Sequence, residues 1–139
     1  MPHEEKCTAQ RDEYMISVKT TGSFKNTTKF LHNCLHIPYE TIFAKYGKKG
    51  VKALSDATPV DSGVTAESWK YDIEQTKNGY SITWSNTNLN DGVNIAILIQ
   101  YGHGTRNGGY VVGRDYINPA LQPIFDEMAK AVWKELDHK

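Results

Sequence analysis

Apolar and polar residues alternate along two neighbouring segments near the middle of the chain. The first segment is Glu67–Gln75 and the second is Tyr80–Ser85, with Lys77-Asn78-Gly79 between them. A period of two places alternate side chains on opposite faces of a β-strand, and Asn-Gly favours a type I′ turn. The pattern therefore predicts an antiparallel hairpin with one apolar, largely aromatic face. That face comprises Trp69, Tyr71, Ile73, Tyr80, Ile82 and Trp84.

Helical spacing of apolar residues predicts three longer helices. The first runs from Phe24 to Leu35, before Pro38, and the second spans Tyr39–Ala57. The last opens at Asn118-Pro119, because Asn is a favoured N-cap and Pro a favoured first helical residue, and we expect it to cover the hairpin. The apolar faces of the second and last helices comprise Phe43, Tyr46, Gly50, Leu54 and Ala57, and Leu121, Ile124, Phe125, Met128, Val132 and Leu136.

The second predicted helix carries a lysine stripe on the face opposite its apolar residues, formed by Lys45, Lys48, Lys49 and Lys52. No acidic residue is interleaved among the four, so we expect them to repel one another mildly. Such a stripe is either a solvated surface or a face toward phosphate groups or an acidic partner. Gly47 and Gly50 each weaken the helix by roughly 1 kcal/mol relative to alanine, and we expect them to allow close packing.

The stretch 95–113 changes abruptly from apolar to glycine-rich. Five apolar residues open it, and four glycines lie between Gly102 and Gly109. Glycine reaches positive φ without steric cost, so the pattern predicts a segment that stops, turns and holds out a polar loop. The pattern leaves Val93–Tyr101 open between strand and helix, and it predicts a short strand at Tyr110–Val112.

The remaining segments complete an α+β arrangement. Residues 1–12 are polar and unpatterned, which indicates a flexible N-terminal arm, either a frayed terminus or an arm that orders on a neighbouring subunit. Tyr14–Thr20 alternates weakly and predicts a strand. Residues 13–139 then form one α+β domain, in which a small antiparallel sheet with the aromatic hairpin packs against helices and a long amphipathic helix ends the chain.

Composition and charge exclude several classes of protein. The chain is 39% hydrophobic and 23% charged, and no run approaches the roughly 18 apolar residues of a membrane span. The N-terminal Met-Pro-His-Glu-Glu-Lys lacks the apolar core of a signal peptide. We therefore expect synthesis in a cytoplasm and no membrane partner. The formal net charge is zero, which argues against a free-standing DNA-binding module built on the lysine stripe.

Candidate catalytic groups are few. His103 lies near Arg106 and Arg114, which would suit acid–base chemistry, but no carboxylate is placed at a defining spacing to orient it. His32 and His36 are four residues apart on a helix, without an HExxH pattern or a third zinc ligand. The glycine run lacks the Lys and Ser/Thr of a phosphate-binding loop. The sequence therefore predicts a protein that is not an enzyme and has no metal or cofactor, with a small His103-dependent hydrolase or nuclease as the distant alternative.

Two stretches resemble the signatures of one family. Thr58–Gly63, followed by Ser68-Trp69, resembles "TPVDTG…SW", and the stretch 95–114 resembles an apolar segment ending in "(V/I)E(Y/F)G" and followed by "H-x-T-R-x-G-G-(aromatic)-V-x-G-R". Together they are similar to the tail-component or tail-completion (neck) proteins of long-tailed bacteriophages, over roughly residues 20–136. Two departures are Val64-Thr65, where a basic residue and Leu are common, and Gln100, where an acid is usual.

The resemblance implies a non-enzymatic virion protein, made in the bacterial host, that completes the tail and joins it to the head. It implies a homo-oligomeric ring, expected to be sixfold, which contacts the head–tail connector or stopper and the tail terminator or tail tube while DNA passes through. It favours a short helix for Val93–Tyr101, and a tail terminator that caps the tube is the nearest alternative. The lysine stripe is then expected to face the lumen or an acidic neighbour. The alternative to a contact with another subunit or partner is an ordinary loop whose glycines serve local turns only. The expected contact loop comprises Gly102, His103, Thr105, Arg106, Asn107, Tyr110 and Arg114.

Overall fold

The computed structural model describes residues 19, 21–61 and 63–137, which form one α+β domain, as predicted. The predicted arm 1–12, and all of the predicted strand Tyr14–Thr20 except Lys19, lie outside the described residues. The helices are α1 (Lys25–Leu35), α2 (Tyr39–Ala57), α3 (Val64–Glu67), α4 (Ile95–Tyr101) and α5 (Ile117–Asp137). The strands are β1 (Trp69–Thr76), β2 (Gly79–Asn86), β3 (Leu89–Asn90), β4 (Val93–Asn94), β5 (Gly102–Gly104) and β6 (Tyr110–Val112).

The aromatic hairpin is confirmed, but its predicted turn type is wrong. Strands β1 and β2 pair antiparallel from Thr76 opposite Gly79 to Trp69 opposite Asn86. The turn residues are Lys77 and Asn78, and neither has a positive φ, whereas a type I′ turn needs positive φ at both central residues. The glycine instead lies in β2 with φ +146°. The sequence signal therefore located the hairpin without fixing its turn.

A second, shorter hairpin follows the first and is formed by β3 and β4. Strands β3 and β4 pair antiparallel through Leu89 opposite Asn94. Asp91 and Gly92 connect them with φ of +49° and +78°, so the positive-φ turn expected at the first hairpin occurs at this one. Only two residues pair on each side, which is too short to give a detectable alternation.

Helix α2 lies against the aromatic face of the first hairpin at two glycines. A Cβ atom added to Gly47 would lie less than 3.0 Å from the ring of Tyr71, and one added to Gly50 would meet the Trp84 indole equally closely. The indole Nε1 of Trp84 donates a hydrogen bond of 3.0 Å to the carbonyl oxygen of Gly47. The prediction that these glycines permit close packing is therefore confirmed.

The predicted position of the last helix is wrong in its main part, because α2 makes most of the helical contact with the hairpin. Helix α5 packs chiefly along α2. It reaches the hairpin where Phe125 meets Trp84 edge-to-face, with 5.5 Å between ring centroids. Its predicted apolar face does turn inward: Ile124 is buried, and Leu121 and Met128 are half-buried.

The core joins α2, the hairpin, α4 and the start of α5. Its buried members are Leu54, Trp69, Ala96 and Tyr116. Two polar groups inside this core have partners: Trp69 Nε1 donates to Thr58 Oγ1 at 2.9 Å, and Tyr116 Oη donates to the Ala96 carbonyl oxygen at 3.0 Å. A buried donor without an acceptor would be costly, so these bonds fix how the aromatic side chains sit.

Helix α1 differs from the others because none of its residues is buried. Its apolar residues Leu31 and Leu35, and Phe24 just before it, remain exposed. None of the helices described is long and apolar enough to cross a membrane.

Candidate interaction site

The glycine-rich stretch folds into a small hairpin, which we call the glycine hairpin (residues 102–114). Strand β5 pairs antiparallel with β6, with His103 opposite Val111. At its tip, the Thr105 N–H donates to the Gly109 carbonyl oxygen at 2.8 Å, and the Gly108 N–H donates back to the Thr105 carbonyl oxygen at 3.1 Å. The predicted loop is therefore a closed two-stranded unit. The predicted strand Tyr110–Val112 is confirmed as β6.

Two glycines hold the base of the glycine hairpin together. Gly102 has φ +80°, and an added Cβ would lie less than 3.0 Å from backbone atoms of Val111 and Gly113. An added Cβ at Gly113 would meet the backbone of Tyr101 and Gln100 as closely. Backbone atoms cannot swing aside as a side chain can, so both positions are closed to any other residue. These glycines shape the base of the hairpin, and most of the residues between them are exposed.

The polar residues predicted as partner contacts lie at the tip and the end of the hairpin. Thr105, Arg106 and Asn107 form its exposed tip. Arg114 follows β6 with its side chain exposed, while its backbone N–H donates to the Ile99 carbonyl oxygen at 2.8 Å. In the described part of the chain, neither arginine side chain forms an ion pair. Both guanidinium groups are therefore available to another molecule.

His103 does not have the surroundings of a catalytic base. It is half-buried in β5, and its Nδ1 atom is buried without a hydrogen-bond partner among the described residues. A general base needs a group that orients the ring, and none is present there. Across the same residues, no three His, Cys, Asp or Glu side chains are grouped to hold a metal ion.

The glycine hairpin also exposes apolar side chains. Tyr101, Tyr110 and Val112 are 68%, 65% and 82% exposed. Tyr110 is nevertheless held in place, because its hydroxyl donates to the Tyr101 carbonyl oxygen at 2.9 Å. Neighbouring exposed aromatic and aliphatic side chains on a rigid support are typical of a protein–protein contact.

Gln100 anchors the base of the hairpin to α5, a role that its sequence pattern does not indicate. Its side chain is buried, and Oε1 accepts hydrogen bonds from the backbone N–H groups of Tyr116 at 3.0 Å and Ile117 at 3.1 Å. Its Nε2 donates to Asp115 Oδ1 at 2.7 Å. The bond from Gln100, and then bonds from Asn118, hold the pKa of Asp115 below its usual value.

These bonds also correct the predicted start of the last helix. Asn118 is not the N-cap, because α5 already begins at Ile117. Instead, Asp115 Oδ1 accepts the backbone N–H of Asn118 at 3.4 Å. The carboxylate of Asp115 and the amide oxygen of Gln100 thus meet free N–H groups of the first helical turn.

The helix that the resemblance favoured for Val93–Tyr101 is confirmed over Ile95–Tyr101, while Val93–Asn94 form β4. Amide side chains hold α4 in place. Asn94 caps it, because Oδ1 accepts the N–H of Ala96 at 3.0 Å. Asn94 Nδ2 donates to the carbonyl oxygen of Asn86 at 2.9 Å, and Asn86 Nδ2 donates to that of Thr65 at 2.7 Å. This chain of bonds ties α4 to β2 and α3, so the glycine hairpin grows from a rigid base.

The lysine stripe is exposed as predicted, but it is partly neutralised. Lys49 Nζ lies 2.7 Å from Glu127 Oε2 on α5, and Lys52 Nζ lies 2.6 Å from Asp56 Oδ2. The hydrogen bond from Lys49 holds the pKa of Glu127 below its usual value, and the same bond raises the pKa of Lys49. The expectation of four mutually repelling lysines is therefore wrong, because acids from the next helical turn and from α5 reach the stripe. Among the described residues, Lys45 and Lys48 make no ion pair.

A cavity of about 220 Å³ opens beside α4. Trp69 and Trp84 line it, with the amide side chains of Asn94 and Gln100. No carboxylate, histidine, lysine or cysteine is among its described lining residues. Its described walls therefore offer apolar surface and neutral hydrogen-bonding groups, among them the phenol of Tyr101.

Fold and site together define an α+β domain that presents a glycine-locked hairpin on a buried polar base. In comparisons with known proteins, no family model, no curated protein and no solved structure matches the chain.

Proposed function

We propose that this protein is a non-enzymatic structural subunit of the neck of a long-tailed bacteriophage. It forms a ring of identical copies that completes the tail and joins it to the head connector, with DNA passing through. The proposal rests on the resemblance of the stretch 95–114 to the tail-completion signature. On this proposal the protein is made in the host cytoplasm and ends in the virion.

One observation carries the proposal: the signature residues divide into two groups in the fold. Gly102 and Gly113 meet steric demands of the hairpin itself. Arg106 and Arg114, by contrast, are exposed and form no ion pair within the described residues. The fold gives no reason for the two arginines, so we assign them to contacts with another subunit or with a neck partner.

The apolar residues beside the arginines support the same assignment. Tyr110 is exposed but fixed by its hydrogen bond to Tyr101, so binding would cost it little conformational freedom. Tyrosine and arginine are also the residue types that dominate protein interfaces. We therefore expect Tyr110 to be the apolar anchor of the contact and Arg106 and Arg114 its polar anchors.

The experiment that tests the proposal is particle assembly with hairpin variants. Arg106→Ala and Tyr110→Ala should each weaken the contact by about 1–4 kcal/mol, so that filled heads and tails accumulate unjoined. Lys77→Ala is the matched control, because Lys77 is exposed at the tip of the other hairpin. Normal head-to-tail joining by both hairpin variants would refute the assigned contact.

Electron microscopy of particles carrying a C-terminal label tests the location. A ring of label between the head vertex and the tail tube is expected, and absence of label from purified particles would contradict the proposal. Binding of the protein to preformed tail tubes rather than to filled heads would assign it as a tail terminator instead.

The lysine stripe fits a transient contact with DNA or an acidic neighbour, carried chiefly by Lys45 and Lys48. Lys49 and Lys52 already have carboxylate partners, and two unpaired cations per subunit would attract phosphate without gripping it. Lys45→Gln with Lys48→Gln should therefore reduce DNA retention more than Lys49→Gln with Lys52→Gln. Equal retention by the two double variants would contradict this division.

A further inference from the structure

The aromatic hairpin is a two-stranded sheet, and neither of its outer edges is paired with another strand in the described part of the chain. In an antiparallel pair, every second residue directs its N–H and C=O groups away from its partner. The Thr87 N–H donates to the Ser68 carbonyl oxygen at 3.0 Å, which fixes this alternation for the whole hairpin. By that alternation, Tyr80, Ile82 and Trp84 present their backbone groups at the free edge of β2.

One contact already shows that the outer edge of β2 accepts hydrogen bonds. Asn86, the last residue of β2, has an outward carbonyl oxygen by the same alternation. That oxygen accepts the bond from Asn94 Nδ2 at 2.9 Å. The outward backbone groups of Tyr80, Ile82 and Trp84 have no partner among the described residues.

The free edge of β2 lacks the features that protect sheet edges from association. Its eight residues, Gly79–Asn86, include no charged residue and no proline. Its solvent-facing side chains are Ser81, Thr83 and Ser85. Soluble proteins usually blunt an exposed edge of this length with a lysine, a proline or a bulge. The absence of all three within β2 indicates an edge that is meant to be paired.

Strand β1 carries charged side chains on the face where β2 carries hydroxyls. It is also eight residues long, and its solvent-facing side chains Lys70, Asp72 and Glu74 are charged. Pairing two β2 edges would leave both β1 edges open, and pairing two β1 edges would bring like carboxylates close together. Pairing β1 with β2 of another copy avoids both problems, because charged side chains then lie beside neutral hydroxyls.

We infer that the outer edge of β1 in one copy pairs antiparallel with the outer edge of β2 in the next copy. The inference rests on the ring of the proposed function and specifies the contact that closes it. A rotation about an axis parallel to the strands carries β2 of one copy beside β1 of its neighbour with the chain directions opposed. Such a head-to-tail contact closes into a ring when the rotation divides a full turn, and it then leaves neither edge of the aromatic hairpin free.

Hydrogen exchange on the unmodified chain tests the pairing residue by residue. On assembly, the outward amides of Tyr80, Ile82 and Trp84 should exchange at least about tenfold more slowly than in the monomer. A factor of ten corresponds to roughly 1.4 kcal/mol for each hydrogen bond formed. The inward amides of Ser81, Thr83 and Ser85 are the internal control, since they pair within the hairpin in either state. Fast exchange of the outward amides in the assembled ring would overturn the inference while leaving the ring intact.

Two other outcomes also overturn it. Slow exchange of the outward amides in the isolated monomer would mean that the chain covers this edge itself. If the protein stays monomeric at high concentration and is also missing from purified particles, then it forms no ring. That result would refute both the proposed function and the β1–β2 contact.

A matched pair of substitutions at Gln75 gives an independent test. Gln75 is an exposed residue of β1 whose amide faces outward, so Gln75→Pro removes an edge donor without breaking a bond inside the hairpin. Gln75→Ala keeps that donor. The proline variant should assemble at least about tenfold more weakly than the alanine variant, with circular dichroism showing that both are folded. Equal assembly by two folded variants would refute the β1–β2 contact.

Discussion

Replacing Gly50 with alanine should destabilise the protein, although the same change stabilises most helices. Alanine is favoured over glycine inside a helix by about 1 kcal/mol. At this position, however, the new Cβ would lie less than 3.0 Å from three atoms of the Trp84 indole. The outcome depends on whether that ring can move.

The indole of Trp84 is held on two sides. Its Nε1 bonds to the Gly47 carbonyl oxygen at 3.0 Å, and its ring packs edge-to-face against Phe125. Overpacking costs about 1–3 kcal/mol, and loss of the hydrogen bond adds about 1 kcal/mol. After subtracting the gain in helix propensity, Gly50→Ala should lower the free energy of unfolding by about 1–3 kcal/mol.

Urea denaturation followed by circular dichroism at 222 nm measures the change without relying on tryptophan fluorescence. A double-mutant cycle with Trp84→Phe isolates the steric cause, because the smaller ring makes room for the new Cβ. In the Trp84→Phe background, Gly50→Ala should cost at least about 1 kcal/mol less than in the unmodified protein. A stabilised Gly50→Ala single variant, or no difference between the two backgrounds, would refute the reasoning.

Substitutions at three further positions test the polar side chains that hold the core and the start of α5. Thr58→Val leaves the Trp69 indole N–H without its acceptor and should cost about 1–3 kcal/mol in thermal or urea unfolding, whereas Thr58→Ser, which keeps the hydroxyl, should cost less. Gln100→Glu puts a second carboxylate beside Asp115, so the variant should have a lower free energy of unfolding than the unmodified protein near neutral pH. The difference should shrink on acidification, and a difference independent of pH would contradict this. The pKa of Asp115 is lowered in the folded state. The carboxylate therefore stabilises the fold above its unfolded-state pKa, and this stabilisation is lost as the pH falls through its folded-state pKa. In Asp115→Asn, the free energy of unfolding should therefore fall less steeply below about pH 4 than in the unmodified protein. The same pH dependence in both proteins would count against that role.

The elements predicted correctly are those whose signal is local. The apolar period of α2 and the alternation of β1 and β2 each arise within one segment, and the structure reproduces α2 over Tyr39–Ala57. The glycines at 47 and 50 were also interpretable, because their cost to a helix indicates a compensating contact.

The errors arise where one segment depends on another. The start of α5 was placed at Asn118 because Asn is a good cap, but Gln100, from a different helix, accepts the N–H groups of Tyr116 and Ile117, two residues and one residue earlier. The lysine stripe looked unpaired along α2, yet Glu127 reaches Lys49 from α5. The pairing of Lys52 with Asp56 lies within α2 itself and was missed at a spacing of four residues. Contacts between distant segments leave no periodicity in the sequence. Gln100 was therefore marked only as a departure from the family signature, and its bonds to α5 were not predicted.

The close approach of α2 to the hairpin has a consequence for charge. Gly47 and Gly50 fix the rotation of α2, so Lys45 and Lys48 must point away from the sheet, on the far side of a helix about 10 Å thick. The opposite, solvent-facing side of the hairpin carries one lysine and two carboxylates in β1. The two faces of this layer of hairpin and helix therefore differ in the sign of their charge: β1 gives the sheet face one more carboxylate than lysine, and the helix face carries two lysines without an ion pair among the described residues. In a ring of such subunits, a polyanion in the lumen and a polyanion outside the ring would meet surfaces whose charges have opposite signs.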